Sequence, residues 1–300
     1  MDELSEYLTQ NYPNNYISGY RDCNLLLWGK DGTTPKMFSL VIGIEYDPYL
    51  GDENISDTMN GRYIVENAFK RLMIYGKEIA KQNSIPFIVL VYPSLNEKYS
   101  EKWDETENIY DRNQVLFYWF EFTQAKNKFY HTVMRGNNLK KKIYDTIGVN
   151  YVDEGTSKLE NSHLSDYFHY WSRKTLSKNI TKIDIDGMLI NNEGDKGVLI
   201  EIKRSSKPPI PKWKPKYDKA NYMLESNFAK GISAYFWLLH HESRPCNDED
   251  TISFYEIDSV NEKREVDFII TNDIVLEMKV RELKGDCLVD RIEKFICGGM

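Results

Sequence analysis

The stretch from Thr181 to Lys203 limits the possible folds more than any other. It reads TKIDIDGMLI, then NNEGDKG, then GVLIEIK. Two aliphatic-rich runs enclose an Asn/Gly/Asp turn, which predicts an antiparallel β-hairpin. Directly opposed residues of such a hairpin keep a constant index sum. A turn centred between Glu193 and Gly194 therefore sets Asp186 opposite Glu201 and Asp184 opposite Lys203. Side chains alternate between the faces of a strand. Asp184, Asp186, Glu201 and Lys203 are thus predicted on one face, while Ile183, Ile185, Ile200 and Ile202 form an aliphatic face fit for a core. Further apolar segments to either side in the sequence make these strands central ones.

Directly opposed carboxylates stand about 4.5–5.5 Å apart at Cβ. At that range they repel, and one retains its proton unless a cation intervenes. A divalent ion with metal–oxygen distances near about 2.0–2.1 Å suits the gap. An ammonium beside it positions an attacking water. Such a set is what metal-assisted hydrolysis of a phosphodiester requires.

The pattern D-x-D-G at 184–187 followed by E-x-K at 201–203 resembles the PD-(D/E)XK nuclease superfamily, the restriction-endonuclease-like proteins. The motif is short, and the resemblance extends over residues 140–245. Ile precedes both aspartates, at a place where the family's proline is often absent. The resemblance implies an α/β protein with a restriction-endonuclease-like core, a mixed central sheet flanked by helices. Its expected order is helix, three antiparallel strands, helix, and a strand parallel to the third. It implies Mg²⁺ held by Asp186, Glu201 and the backbone carbonyl of Ile202, with Asp184 as an extra ligand or a supporting group. Lys203 would orient or activate water. YVDE at 151–154 is the candidate for the first core strand, and Glu160 for the helix glutamate that some members add. The implied activity is Mg²⁺-dependent DNA endonuclease, of restriction or defence type, on double-stranded DNA, with a homodimer allowed. Two other readings fit the same residues: a catalytically silent nuclease-fold DNA-binding protein, and an α/β interaction protein whose hairpin is structural.

A net charge of −7 does not advertise nucleic-acid binding. DNA affinity must then come from a local patch. Lys203 to Lys219 is that patch: Arg204, Lys207, Lys212, Lys214 and Lys216 follow the catalytic strand in a proline-punctuated run with one acid, Asp218. Held beside the site, these residues would track a phosphate backbone. Trp213 within the run reads as a packed anchor, and Asn221 and Tyr222 on the next helix as residues facing the site.

The chain divides, on this reading, into an N-terminal α/β region at 1–135 for recognition or assembly, and a nuclease core with a C-terminal β meander at 136–300. Strands are expected at 24–30, 37–46, 87–92 and 114–122, with a helix over 62–82. A faint echo of the motif in the first half ends IEYD, with Asp47 where lysine belongs, and reads as an unrelated α/β module. Asp267, Glu277 and Lys279 repeat the D…E-x-K grammar, but too little chain follows to complete a core, so they read as a structural hairpin. His240, His241 and Cys246 lie close together, yet adjacent residues of a strand face opposite ways, which favours structural roles. The four cysteines are scattered without a C-x-x-C pair. No apolar run approaches the roughly 20 residues of a membrane span, and the start, MDELSEYL, lacks a signal-like apolar stretch. A cytoplasmic protein outside the membrane is expected.

Overall fold

The computed structural model describes residues 3–19, 23–30, 34–58, 67–94, 112–123, 128–152, 167–205, 219–242, 251–257, 259–260, 268–269, 276–279 and 287–300. The first half runs α1 (Glu3–Asn11), β1 (Tyr16–Ser18), β2 (Cys23–Lys30), β3 (Thr34–Ile44), α2 (Ile55–Thr58), α3 (Asn67–Asn83), β4 (Phe87–Pro93), β5 (Leu116–Thr123), β6 (Lys128–Arg135) and α4 (Gly136–Ile147). The second half runs α5 (Tyr167–Thr175), β7 (Ile180–Ile185), β8 (Gly187–Ile190), β9 (Gly197–Ser205), α6 (Lys219–Gly231), β10 (Tyr235–Glu242), β11 (Thr251–Glu256), β12 (Ser259–Val260), β13 (Phe268–Ile269), β14 (Leu276–Lys279) and α7 (Cys287–Ile296). The protein is mixed α/β, with two mixed six-stranded sheets flanked by helices. Among the described residues no helix is long and apolar enough to cross a membrane.

Near-continuous apolar runs such as FIVLVYP and YFWLLHH build strands covered on both faces. Three apolar layers result. Leu72, Tyr75 and Ile79 of α3 and Leu224 and Phe228 of α6 fill the space between the sheets, against Leu40 and Ile42 of one and Leu199 and Leu238 of the other. Leu139 and Ile143 of α4 and Phe168 and Trp171 of α5 cover the outer face of the β2–β5 sheet. Leu4 and Leu8 of α1 and Ile292 and Phe295 of α7 cover the outer face of the β8–β11 sheet.

One sheet has the order β7-β2-β3-β4-β5-β6, and the other β1-β8-β9-β10-β11-β14. Successive pairs in the first are antiparallel, antiparallel, parallel, antiparallel and antiparallel. The second repeats that sequence of senses. In both, a helix of the central layer bridges the parallel pair, α3 between β3 and β4 and α6 between β9 and β10. The two halves therefore follow one plan, against the expectation of an unrelated N-terminal module. They also exchange their first strands. Short β1, from the N-terminus, pairs with β8, while β7 joins β2 in the other sheet. A boundary at 135/136 thus does not separate the sheets. The expected first core strand at 151–154 is also corrected: Tyr151 and Val152 form no strand, 153–154 lie outside the described residues, and β1 occupies that edge.

The exchanged connections cross at one point. The Gly19 amide donates to the Asp186 carbonyl at 3.0 Å. A Cβ on Gly19 would stand 2.3 Å from the Ile185 carbonyl oxygen, so only glycine allows this approach. Buried Ser5 on α1 ties β1 down, with its hydroxyl 3.0 Å from that of Ser18 and 3.2 Å from that of Tyr16. On the β8–β9 turn, buried Asn191 accepts from the amides of Asp195 and Lys196 at 3.0 and 3.1 Å, and donates to Asp195 Oδ1 at 2.6 Å. Gly194 supplies the left-handed backbone there, with φ +76°. The turn thereby fixes the predicted register, Gly187 opposite Ile200 and Leu189 opposite Val198.

Among the described residues, the two strands in the expected Asp267/Glu277/Lys279 hairpin pair with other strands. β13 pairs with β12, and β14 adds antiparallel to β11 at the sheet edge, with Glu277 opposite Ser253 and Lys279 opposite Thr251. Asp267 lies outside the described residues.

The crossing makes a stability prediction. Gly19→Ala pushes a methyl into backbone that cannot yield, and should lower the unfolding free energy by about 2–3 kcal/mol. Gly194→Ala meets left-handed-backbone strain of about 1 kcal/mol and a 3.3 Å contact with Cγ2 of Ile74, an exposed side chain with room to give. Urea denaturation of both variants measures the difference, and equal losses would count against the crossing as the tighter constraint.

Candidate active site

Asp186 is the residue at which the chain leaves one sheet for the other, between β7 and β8. Its side chain turns toward β9, where Oδ2 accepts the Ile202 amide proton at 2.7 Å. That bond continues the β8–β9 register one step past Gly187–Ile200 and holds Asp186 beside Glu201. On β9, Leu199, Glu201 and Lys203 alternate with the outward Val198, Ile200 and Ile202, so they face the central layer. Glu201 Oε1 stands 2.6 Å from Lys203 Nζ. The Lys203 ammonium lies 5.8 Å from the centre of the Tyr222 ring, a cation–π contact with α6.

A third carboxyl joins them. Glu225 of α6 is 1% exposed, against 8% for Asp186 and 4% for Glu201. Among the described residues neither Glu225 oxygen has a hydrogen-bond partner at conventional distance. Burial pushes its pKa well above the usual carboxyl range, and the neighbouring Glu201 and Asp186 add to that, opposed by Lys203. Asp186 is raised for the same leading reason, burial, then by Glu201, with the Ile202 amide and Lys203 pulling the other way. Three carboxyls and one ammonium in a dry site would carry −2 if fully ionised. Protons on Asp186 and Glu225 remove that charge. His240 also belongs here: it is wholly buried on β10, aligned with Lys203 across the parallel pair. Phe236 and Leu238 mark that face of β10 as the inner one.

Asp184 does not join the group, contrary to the one-face expectation. It sits on β7 opposite Leu26, 49% exposed at its side chain, with Oδ1 3.0 Å from His169 Nε2 of α5. The hairpin pairing stops at Asp186 because the preceding strand belongs to the other sheet. Position 203 then has His240 as its registered neighbour rather than Asp184. The resemblance assigns Ile202 a carbonyl ligand; the group it gives Asp186 is its amide. Arg204 is exposed at the end of β9, where the basic run begins. Lys207, Lys212, Lys214, Lys216 and Trp213 lie outside the described residues, as do Glu160, Cys246 and the side chain of His241. Tyr222 faces the site as expected.

The sequence carries a signal for Glu225. Tyr222, Glu225, Ser226 and Ala229 follow the three-and-four spacing of a buried helix face, and all four are buried. An acid inside such a stripe needs a partner from elsewhere in the fold. Among the described residues no three His, Cys, Asp or Glu side chains form a ready-made metal cage. The fit to a divalent cation rests on donor chemistry. Hard carboxylate oxygens crowd a low-dielectric site, two of them, on Glu225, without partners among the described residues, and a cation would relieve their repulsion.

These shifts set a pH dependence. A carboxyl whose folded pKa is raised binds more protons folded than unfolded between the two values. Its stabilisation is complete below the unfolded pKa, near about 4, and fades as pH rises toward the folded one. Each such proton contributes a slope of at most about 1.4 kcal/mol per pH unit. The cation-free protein should therefore lose stability from pH 5 to pH 8, and Glu225→Gln should lose less. Urea denaturation at both pH values, with chelator present, checks this; parallel profiles for wild type and Glu225→Gln would refute the buried-proton account. The chain matches no protein-family model, no curated protein and no solved structure.

Proposed function

We propose that this chain is a Mg²⁺-dependent phosphodiester hydrolase that cuts DNA, with Asp186, Glu201 and Lys203 as its working residues and Glu225 as a third acidic group. One observation carries the reading: buried Asp186, Glu201 and Glu225 converge with the Lys203 ammonium beside the parallel strand pair, where a helix closes over them. A burial so costly for charge is rarely kept for stability alone, and perturbed carboxyls of this kind cluster at reactive sites.

When bound, Mg²⁺ polarises the phosphate and favours ionisation of a water. The Asp186 and Glu201 carboxylates would hold the cation, Asp186 once its proton leaves. Lys203, paired with Glu201 in the cation-free protein, would hold the attacking water and neutralise charge developing on the phosphate oxygens. The water oxygen bonds to phosphorus and gives up a proton to solvent. One P–O ester bond breaks, and its alkoxide takes a proton from solvent. The Ile202 amide keeps Asp186 aimed throughout.

Asp186→Asn and Glu201→Gln should each reduce Mg²⁺-dependent conversion of supercoiled plasmid by about 10³-fold or more. Lys203→Met should lower it by about 10²-fold while DNA binding in Ca²⁺ persists. Wild-type cleavage by Glu201→Gln would sink the assignment. Binding of DNA by the wild-type protein with no cleavage would favour the silent nuclease-fold reading instead.

The acidic chain binds DNA, on this reading, through the basic run that leaves β9. Each phosphate neutralised contributes a log–log salt slope of about 0.9. Replacing Lys212, Lys214 and Lys216 with Gln should flatten the salt dependence of affinity in Ca²⁺ by up to about three units and leave sequence preference intact. An unchanged slope would place the DNA path elsewhere.

A further inference from the structure

The two halves share a plan, but among the described residues the carboxyl, ammonium and imidazole groups of the central layer all come from the second half. The strand of the first half equivalent to β9 is β3. Its inner face holds Phe38, Leu40, Ile42 and Ile44, all buried and all apolar. The parallel partner β4 adds Phe87, Val89 and Val91 to the same core. The helix equivalent to α6 is α3, whose inward residues are Leu72, Tyr75 and Ile79. Glu78 of α3 instead points outward and pairs with Lys81 at 2.8 Å, both side chains more than a third exposed. In the second half the same places hold Glu201 and Lys203 on the strand and Glu225 on the helix, with His240 on the parallel partner. Reciprocal exchange of β1 and β7 locks the halves together as two subunits would be locked in a strand-swapped dimer.

From this asymmetry we infer that the protein hydrolyses one strand of a DNA duplex per binding event and releases a nicked duplex. The inference rests on the nuclease reading above. Cutting both strands in one encounter needs two reactive centres of opposite polarity, which a symmetric pair of identical folds supplies. Here, among the described residues, the strand and helix faces related by the internal repeat carry apolar and tyrosine side chains, and the exchanged strands already satisfy the surface on which each half meets the other. Among its described residues one chain thus presents one centre. The bond chemistry is that of a single hydrolysis: one water consumed, one P–O bond broken, and the opposite strand left continuous.

The test is a time course on supercoiled plasmid with Mg²⁺, using the full chain over a protein concentration series, with Glu201→Gln as control. Open-circular DNA should accumulate alone until the supercoiled form is consumed, at a rate proportional to protein concentration. Linear DNA should stay at background at half conversion. Primer extension on each strand of the product should find breaks on either strand but no paired breaks at one locus. Linear product appearing from the earliest times would overturn the inference while leaving the nuclease reading intact, as would a rate that rises with the square of protein concentration. Absence of any Glu201-dependent cleavage would overturn the nuclease reading and this inference with it.

Discussion

Where the chain passes from β1 toward β2 it crosses its own passage from β7 to β8, and the rest of the molecule is arranged around that crossing. The Gly19 amide is bonded to the Asp186 carbonyl, and there is no room for a side chain on Gly19. Each half gives its first strand to the other sheet, so neither sheet is complete without both halves of the chain. The same point sets the chemistry. Asp186 is the residue at which strand pairing breaks as the chain changes sheets, and its carboxyl can thereby bond the Ile202 amide and lie beside Glu201. A fold constraint and a site residue coincide at one position.

Packing against electrostatics explains why the site lies in the middle layer. Helices α3 and α6 are each covered by both sheets, and that layer is built on a large buried apolar cluster. Carboxyls there are held back from ionising chiefly by burial. The Lys203 ammonium is split between Glu201 and the face of Tyr222. A site of this kind stores unfavourable charge that a cation can relieve. The stability it forgoes must come from the aliphatic shells around it, such as the outward faces of β8 and β9 under α1 and α7. Among the described residues the first half keeps the same frame and fills the equivalent faces with apolar and tyrosine side chains, which keeps the packing without the charge.

Much of the hairpin is legible in the residues alone. The Asn/Gly/Asp turn and the aliphatic alternation set the register, and the pairing of Gly187 with Ile200 puts Asp186 next to Glu201 as predicted. Both depend on local physics: a turn that needs a left-handed residue at Gly194, and a period of two along each strand. Glu225 is legible in part, as an acid within a buried helical stripe. Its partners are not, because they come from strands that the helix meets only after folding.

Asp184 marks where sequence stops. TKIDIDGMLI reads as one unbroken strand, and nothing in its residues marks a change of sheet at Asp186. That change is imposed by Gly19 and β1, more than 160 positions away in the chain. The first core strand is the same case: it arrives from the N-terminus, while the local pattern points to 151–154. Sequence by itself determined the strands near 24–30, 37–46, 87–92 and 114–122, the hairpin register and the placing of Asp186 beside Glu201, since each depends on local pattern along the chain. Tertiary structure alone decided which sheet each strand joins, which of four polar groups stay together, and that a glutamate from α6 completes them. Those outcomes turn on contacts between distant segments competing for the same buried surface, and no local pattern encodes that competition.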